Sequence, residues 1–170
     1  MAFEDDYEFM MDNEDKNQLH AIVPDAPPGA HAISGINSAA FPKQFAAIAA
    51  IPQAQRGPAV EQFYQAEFGN QWIAQITSAD LQEPVFDTAV NSGMGTAVKI
   101  LQGAINTEPS VIDKTVPIPV DGIWGPLTVA AANACGTWLV PAFEQARVSH
   151  LRKYDANSPY LAQLIARAEK

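Results

Sequence analysis

One cysteine, Cys135, is all that 170 residues contain, which excludes an internal disulfide and is too few for a cysteine metal site. Set at the end of Ala131-Ala-Asn-Ala, it is expected to be a buried small residue. Positive charge is scarce too. Ten Lys and Arg face 19 Asp and Glu, for a formal charge of −9. Nucleic acid is therefore excluded as a partner, because its phosphates select basic surfaces. An anionic wall or membrane would likewise have to be recognised by shape and hydrogen bonds rather than by charge. The first residues, Met-Ala-Phe-Glu-Asp-Asp, carry acid where a signal peptide carries positive charge, and no apolar segment follows. The longest strongly apolar run, Phe45 to Ile51, is far too short to span a bilayer, so membrane insertion is not expected. Only three histidines are present, His20, His31 and His150, at spacings that fit no compact ligand motif. Neither a metal nor another cofactor is expected.

What is present describes a folded chain: 48% apolar residues and 17% charged ones. The length suits one domain or two small lobes sharing a core. The organising stretch is Phe86-Asp-Thr-Ala-Val-Asn-Ser-Gly93 with its continuation Ala97-Val-Lys-Ile-Leu-Gln102. Pro84 suits the first turn of a helix. Phe86, Ala89 and Val90 then share one face. Gly93 and Gly95 interrupt it, and Ala97, Val98, Leu101, Ala104 and Ile105 mark a second helix. Asp87, Asn91 and Gln102 are polar groups inside this apolar packaging. If buried they must be hydrogen-bonded, so they are expected to tie the pair to other segments.

Residues 3–14 read as a helix with Phe3, Tyr7, Met10 and Glu14 in one row. Two readings of Glu14 compete. The acidic run Asp12-Asn-Glu-Asp15 suggests a solvated face. The row instead sets Glu14 on the apolar stripe and near the helix C-terminus, where burial and the macrodipole both favour the protonated acid a general-acid catalyst needs. Residues 16–40, punctuated by Pro24, Pro27, Pro28, Gly29 and Gly35, read as one long loop. Asp25 is either a second carboxylate or an Asx-turn residue before the prolines. His20 and His31 are loop histidines available to line a cleft. Val60, Phe63, Tyr64 and Phe68 build a further helix. Tyr64 and Trp72 could stack on sugar rings, although core packing is the commoner use of aromatics at this spacing. Residues 106–120 read as a loop or short ribbon. Asp121-Gly122 and Gly125-Pro126 are turns, with Trp124 as a plug over the core. Helices follow from Thr128, from Pro141 (Phe143, Arg147, Leu151 and Tyr154 on one side) and from Ser158-Pro159.

Three blocks carry a resemblance: Phe86-Asp-x-Ala-Val-Asn-x-Gly93, Leu101-Gln102, and Asp121-Gly-Ile-Trp-Gly-Pro-Leu-Thr128. In that order and spacing they resemble the C-terminal half of glycoside hydrolase family 108, over about residues 60–170. Members are bacterial and phage muramidases whose C-terminal part is described as a predicted peptidoglycan-binding domain. The resemblance implies a mainly α, lysozyme-like helical domain with two lobes on the central helix pair. Residues 1–80 would form the catalytic-type lobe and 81–170 the peptidoglycan-binding-type lobe. In the family a catalytic glutamate closes the first helix, followed by an Asp-bearing loop and a Gly-Ile or Gly-Ile-Asn step. Glu14-Asp15, Asp25 and Gly35-Ile-Asn37 stand in that order here.

The resemblance thus implies cleavage of the β-1,4 bond between N-acetylmuramic acid and N-acetylglucosamine. Glu14 would be the general acid and Asp25 would position water or balance developing positive charge. Tyr64, Asn91 and His31 are the expected sugar contacts, and glycan strands of peptidoglycan the partner. Such a protein is expected to be made in a bacterial cytoplasm and to act at the wall, delivered by a holin, a phage particle or lysis. The family's Gly-Gly after the glutamate and its loop Gly-Gly-x-Thr are not found here. A catalytically degenerate relative, serving as a peptidoglycan-binding or structural virion component, is therefore the second reading. A metal-dependent wall amidase is the third, and it would need the histidines to converge.

Overall fold

The structure is a computed structural model that describes residues 3–69, 72–107, 117–154 and 161–168. Among these it has eight α-helices and one three-stranded antiparallel sheet, the mainly α class expected. The chain divides after Gly69 into two compact units, each with its own core. The resemblance implies a boundary at 80/81. Residues 72–80 belong instead with the C-terminal unit, where Ile73 and Ile76 are buried and their carbonyls accept the side-chain amide of Gln82.

In the N-terminal unit, α1 (Phe3–Glu14) buries Met10 and Met11. Helix α2 (Pro42–Ala49) starts on its proline, and α3 (Gly57–Phe68) buries Val60, Phe63, Tyr64 and Phe68 as the spacing required. The core here is aromatic. Phe63 meets Phe41 and Tyr64 edge-on at ring separations of 4.9 and 5.1 Å, a favoured quadrupole geometry.

The segment expected as one loop holds the sheet: β1 (Ile22–Asp25), β2 (Ala30–Ile33) and β3 (Ile36–Asn37). Strand β1 runs antiparallel to β2 with Asp25 opposite Ala30, and β2 antiparallel to β3 with Ile33 opposite Ile36. The loop reading failed because its punctuation residues are hairpin turns. Ser34 and Gly35 both have positive φ, 47° and 80°, the pattern of a two-residue type I′ turn. Pro24 is tolerated because β1 lies at the sheet edge, where a missing N–H costs no ladder bond.

The C-terminal unit is built from α4 (Ala79–Ser92), α5 (Met94–Ile105), α6 (Pro126–Cys135), α7 (Leu139–Tyr154) and α8 (Leu161–Ala168). The α4–α5 pair is present and lies wholly in this unit; Gly93, with φ 84°, breaks it as expected, whereas Gly95 sits inside the first turn of α5. Pro84 does not open α4 but sits inside it. The helix starts five residues earlier, after Ser78, because buried Leu81 and the Gln82 bonds hold its first turn ahead of the proline. Cys135 is buried, whereas Tyr154 is exposed rather than on the inner side of α7. The ribbon expected near 106–120 falls mainly on residues outside those described. Among the described residues, no helix is long and apolar enough to cross a membrane.

Two of the three polar groups of the pair do what burial demands. Asp87, 1% exposed, receives the guanidinium of Arg147 from α7 and that of Arg167 from α8. Gln102 is buried and donates to Asp121 and to the Thr128 hydroxyl, while its carbonyl accepts Gly122 N–H. It thereby braces the 121–128 segment against α5. Trp124 half-covers this region, its indole N–H on the Met94 sulfur at 2.7 Å. Asn91 corrects the third expectation. It is exposed, and its amide returns to the Asp87 carbonyl and carboxylate one turn back in the same helix. It lies in the last turn of α4, beyond the faces that α5 and α7 cover.

Removing one partner of a buried ion cluster strands the others, so Asp87→Ala should cost about 3–5 kcal/mol of stability, read by urea unfolding. Glu144 adds a pH dependence. Burial lifts its carboxyl to about 7; Arg147, 3.8 Å away, opposes the rise and Asp87 adds to it. The folded state thus holds a proton that the unfolded chain releases near 4.5. This contribution is complete below about pH 4.5 and is lost as pH rises through about 7. Unfolding titrations should show that slope in the wild type and a flatter one in Glu144→Gln.

Candidate functional site

The N-terminal unit brings two of the sequence-nominated carboxylates to one short segment, the turn and strand Ser34-Gly-Ile-Asn37. Glu14, half-buried, closes α1. A Cβ built on Gly35 would lie 3.0 Å from Glu14 Oε2 and 2.7 Å from Tyr64 Oη, so the carboxyl and the phenol both rest against the bare Cα of this glycine. Asp12, two residues earlier, is exposed. The helical row therefore separated the two acids correctly: Glu14 is turned in and Asp12 out.

Asp25 joins the same segment through Asn37. Asn37 Nδ2 donates to Asp25 Oδ2 at 2.7 Å and to the Ala26 carbonyl, while Ala26 N–H donates to Asp25 Oδ1 at 2.8 Å. The side-chain oxygen of Asn37 accepts from the N–H groups of Ala39 and Ala40. Asp25 is thus a half-buried carboxylate at the end of β1.

The remaining nominees divide. Tyr64 is 1% exposed, so it has no ring face to offer a sugar. Its hydroxyl donates to the Ser34 carbonyl at 2.8 Å, which makes it a prop under the turn. His31 is exposed on β2, its backbone N–H bonded to the Ser38 hydroxyl. Asn91 belongs to the other unit. Among the described residues, no group of three or more His, Cys, Asp or Glu could hold a metal ion.

The sequence does not foretell the contacts of four residues of the site, Asp15, His20, Ser34 and Arg56. Asp15 follows Glu14 directly in the chain. Its Oδ1 accepts Leu19 N–H at 3.0 Å, and its Oδ2 accepts His20 N–H and the Ser34 hydroxyl, each at 2.7 Å. Burial pushes this carboxyl up, but the bonds from Ser34, His20 and Leu19 outweigh it and hold it below the usual range. His20 Nδ1 lies 2.7 Å from the Ser34 oxygen. Arg56, buried, donates to the carbonyls of His20, Ile51 and Ala49. Nothing in a Ser, a loop His or the Arg of an Arg-Gly-Pro run signals these contacts, because each is made across more than a dozen residues of chain or to a bare carbonyl. Tyr7 borders the site from α1. Burial, with Glu61 and Asp15 adding to it, raises its phenol to about 12, so it stays protonated at neutral pH.

The arrangement offers an acid on a helix end, a glycine leaving open backbone beside it, and a second carboxylate held by the same strand. Comparison with known proteins bears on the fold. The chain matches no protein-family profile and no curated protein sequence. Among solved structures it is similar to one titled "Structure of Brucella abortus SagA", with a TM-score of 0.67 and 19% identity, over 98% of this chain and 92% of that one. At that identity the likeness is one of fold.

Gly35 is the position at which this geometry is most exposed to a single change. Any side chain there would collide with Tyr64 Oη and the Glu14 carboxyl, at a φ that L-residues avoid. Gly35→Ala should cost about 1–3 kcal/mol by urea unfolding, from the positive φ and the displaced contacts together. Gly29, at φ 91° with open space around it, supplies the comparison. Gly29→Ala should cost only the backbone part, about 1–2 kcal/mol.

Proposed function

We propose that the chain is an N-acetylmuramidase that hydrolyses the β-1,4 bond between N-acetylmuramic acid and N-acetylglucosamine. The observation that carries the reading is the seating of the Glu14 carboxyl on Gly35. The family 108 resemblance names this glutamate as the acid and a Gly-Ile-Asn step as its companion, and in the fold those two meet. Glu14 donates its proton to the glycosidic oxygen as the bond to C1 lengthens. Asp25 orients a water toward C1 and takes its proton, so that the net change is hydrolysis. His31, exposed on β2, is a polar side chain that can meet a sugar hydroxyl. The partner is the glycan strand of peptidoglycan, reached without electrostatic attraction because the chain carries −9. A site of action at the bacterial wall, with holin-dependent or virion-borne delivery, belongs to the same proposal.

A second reading, a wall-binding protein without catalysis, draws on the C-terminal unit. Val120, Ile123 and Leu127 stand exposed around the turn that Gln102 braces, an apolar surface for a wall component.

Purified peptidoglycan should lose turbidity with the wild type and release new muramic-acid reducing ends. Glu14→Gln keeps the shape but has no proton to give, and should lower the rate by about 10²–10⁴-fold. Asp12→Asn, on the exposed face, should leave it nearly unchanged. Equal digestion by Glu14→Gln would remove Glu14 from the mechanism. Release of peptides instead of reducing ends would indicate an amidase. If neither wild type nor Glu14→Gln digests the wall but both sediment with it, the binding reading holds.

A further inference from the structure

The Asp15–Ser34–His20 network has no part in the chemistry just proposed, yet it joins the two chain segments that form the site. Asp15 is covalent neighbour to Glu14, and Ser34 to Gly35. The hydrogen bond between Asp15 and Ser34 therefore closes a small ring around the contact between Glu14 and Gly35. Proton bookkeeping fixes its direction. Asp15 is held ionised and can only accept, so the single hydroxyl proton of Ser34 goes to Asp15. The Ser34 oxygen, 2.7 Å from His20 Nδ1, must then accept, which puts a proton on Nδ1. Both ends of that last bond are strained, with φ 48° at His20 and 47° at Ser34. Non-glycine residues persist in that region only where the surroundings hold them there. Here the holders are the Arg56 guanidinium on the His20 carbonyl and the Tyr64 hydroxyl on the Ser34 carbonyl.

We infer that His20 is a positioning residue: its Nδ1–H, through the Ser34 hydroxyl, fixes the turn against which the Glu14 carboxyl is set. The catalytic consequence rests on the muramidase reading, and the geometric one does not.

The test compares His20→Ala with His20→Asn. Asparagine tolerates positive φ and carries an amide N–H close to where Nδ1–H lies. Long-range proton–nitrogen spectra of the wild type should show the His20 proton on Nδ1, in a neutral or a charged ring. A neutral ring protonated at Nε2 alone overturns the inference. In His20→Ala the backbone amides of the β2–β3 hairpin that this turn closes should exchange at least about 10-fold faster, and the Glu14 carboxyl carbon resonance should move. His20→Asn should keep both near the wild type. Unchanged signals in His20→Ala overturn the inference whether or not the protein digests peptidoglycan. Moved signals in a protein whose wild type digests nothing sustain it and remove the muramidase reading alone. With activity present, on soluble uncross-linked glycan strands, His20→Ala should lose about 10–100-fold in kcat with KM little changed, and His20→Asn should recover most of it. A loss confined to KM, or no recovery with Asn, overturns it. Should His20→Ala fail to fold, Ser34→Gly takes its place, since it relieves the strained φ while deleting the hydroxyl. The same losses are expected from it.

Discussion

A charge taken out of water must find partners, and in each unit one carboxylate sets the terms for its surroundings. In the C-terminal unit that group is Asp87, which cannot be buried on α4 unless cations come to it. Arg147 comes from α7 and Arg167 from α8, so one side chain ties three helices. Glu144, though 3.8 Å from Arg147, is lifted to about 7 by burial, with Asp87 adding to the rise, because that one guanidinium does not offset the loss of water. In the N-terminal unit the corresponding group is Asp15, served by two backbone N–H groups and a hydroxyl. That difference suits their tasks. An ion cluster resists separation of helices, whereas a short-range hydrogen-bonded ring ties one turn to the end of one helix.

The legible part of the chain was the part whose signal is local. Apolar spacing placed α3 and the α4–α5 pair, and the rule that buried polar groups bond elsewhere anticipated Asp87 and Gln102. The same rule misjudged Asn91, because it presumes burial and a helix's last turn need not be covered. Pro84 misled for a related reason. Its local preference for the first turn was overridden by Leu81 and Gln82, whose contacts hold five residues of helix ahead of it. Segment 16–40 was the largest miss. Its strands have two to four residues each, too few for a period of two to show, and its turn residues read as loop.

For the candidate site the division is similar. Glu14 could be nominated by its place in the helical row, and Gly35-Ile-Asn37 by resemblance, but their contact could not. It depends on β2 and β3 folding back, and on α3 presenting Tyr64 beneath the turn. Tyr64 shows how a residue can be correctly singled out for the wrong use. Spacing set it in the core, and the core position is what lets its hydroxyl reach the Ser34 carbonyl.

The identity of residue 35 follows from this geometry rather than from the chemistry proposed for it. A type I′ turn asks for positive φ at both central residues, and glycine meets that demand at the second. A serine at the first is costlier, since its Cβ crowds the backbone there. The cost persists because its hydroxyl and carbonyl are both engaged, by Asp15 and by Tyr64. A turn built on Asn-Gly would relax the strain but would lose the hydroxyl that the Asp15 ring requires. The strained residue is therefore retained where it joins two segments, and the unstrained glycine where a carboxyl needs open backbone beside it.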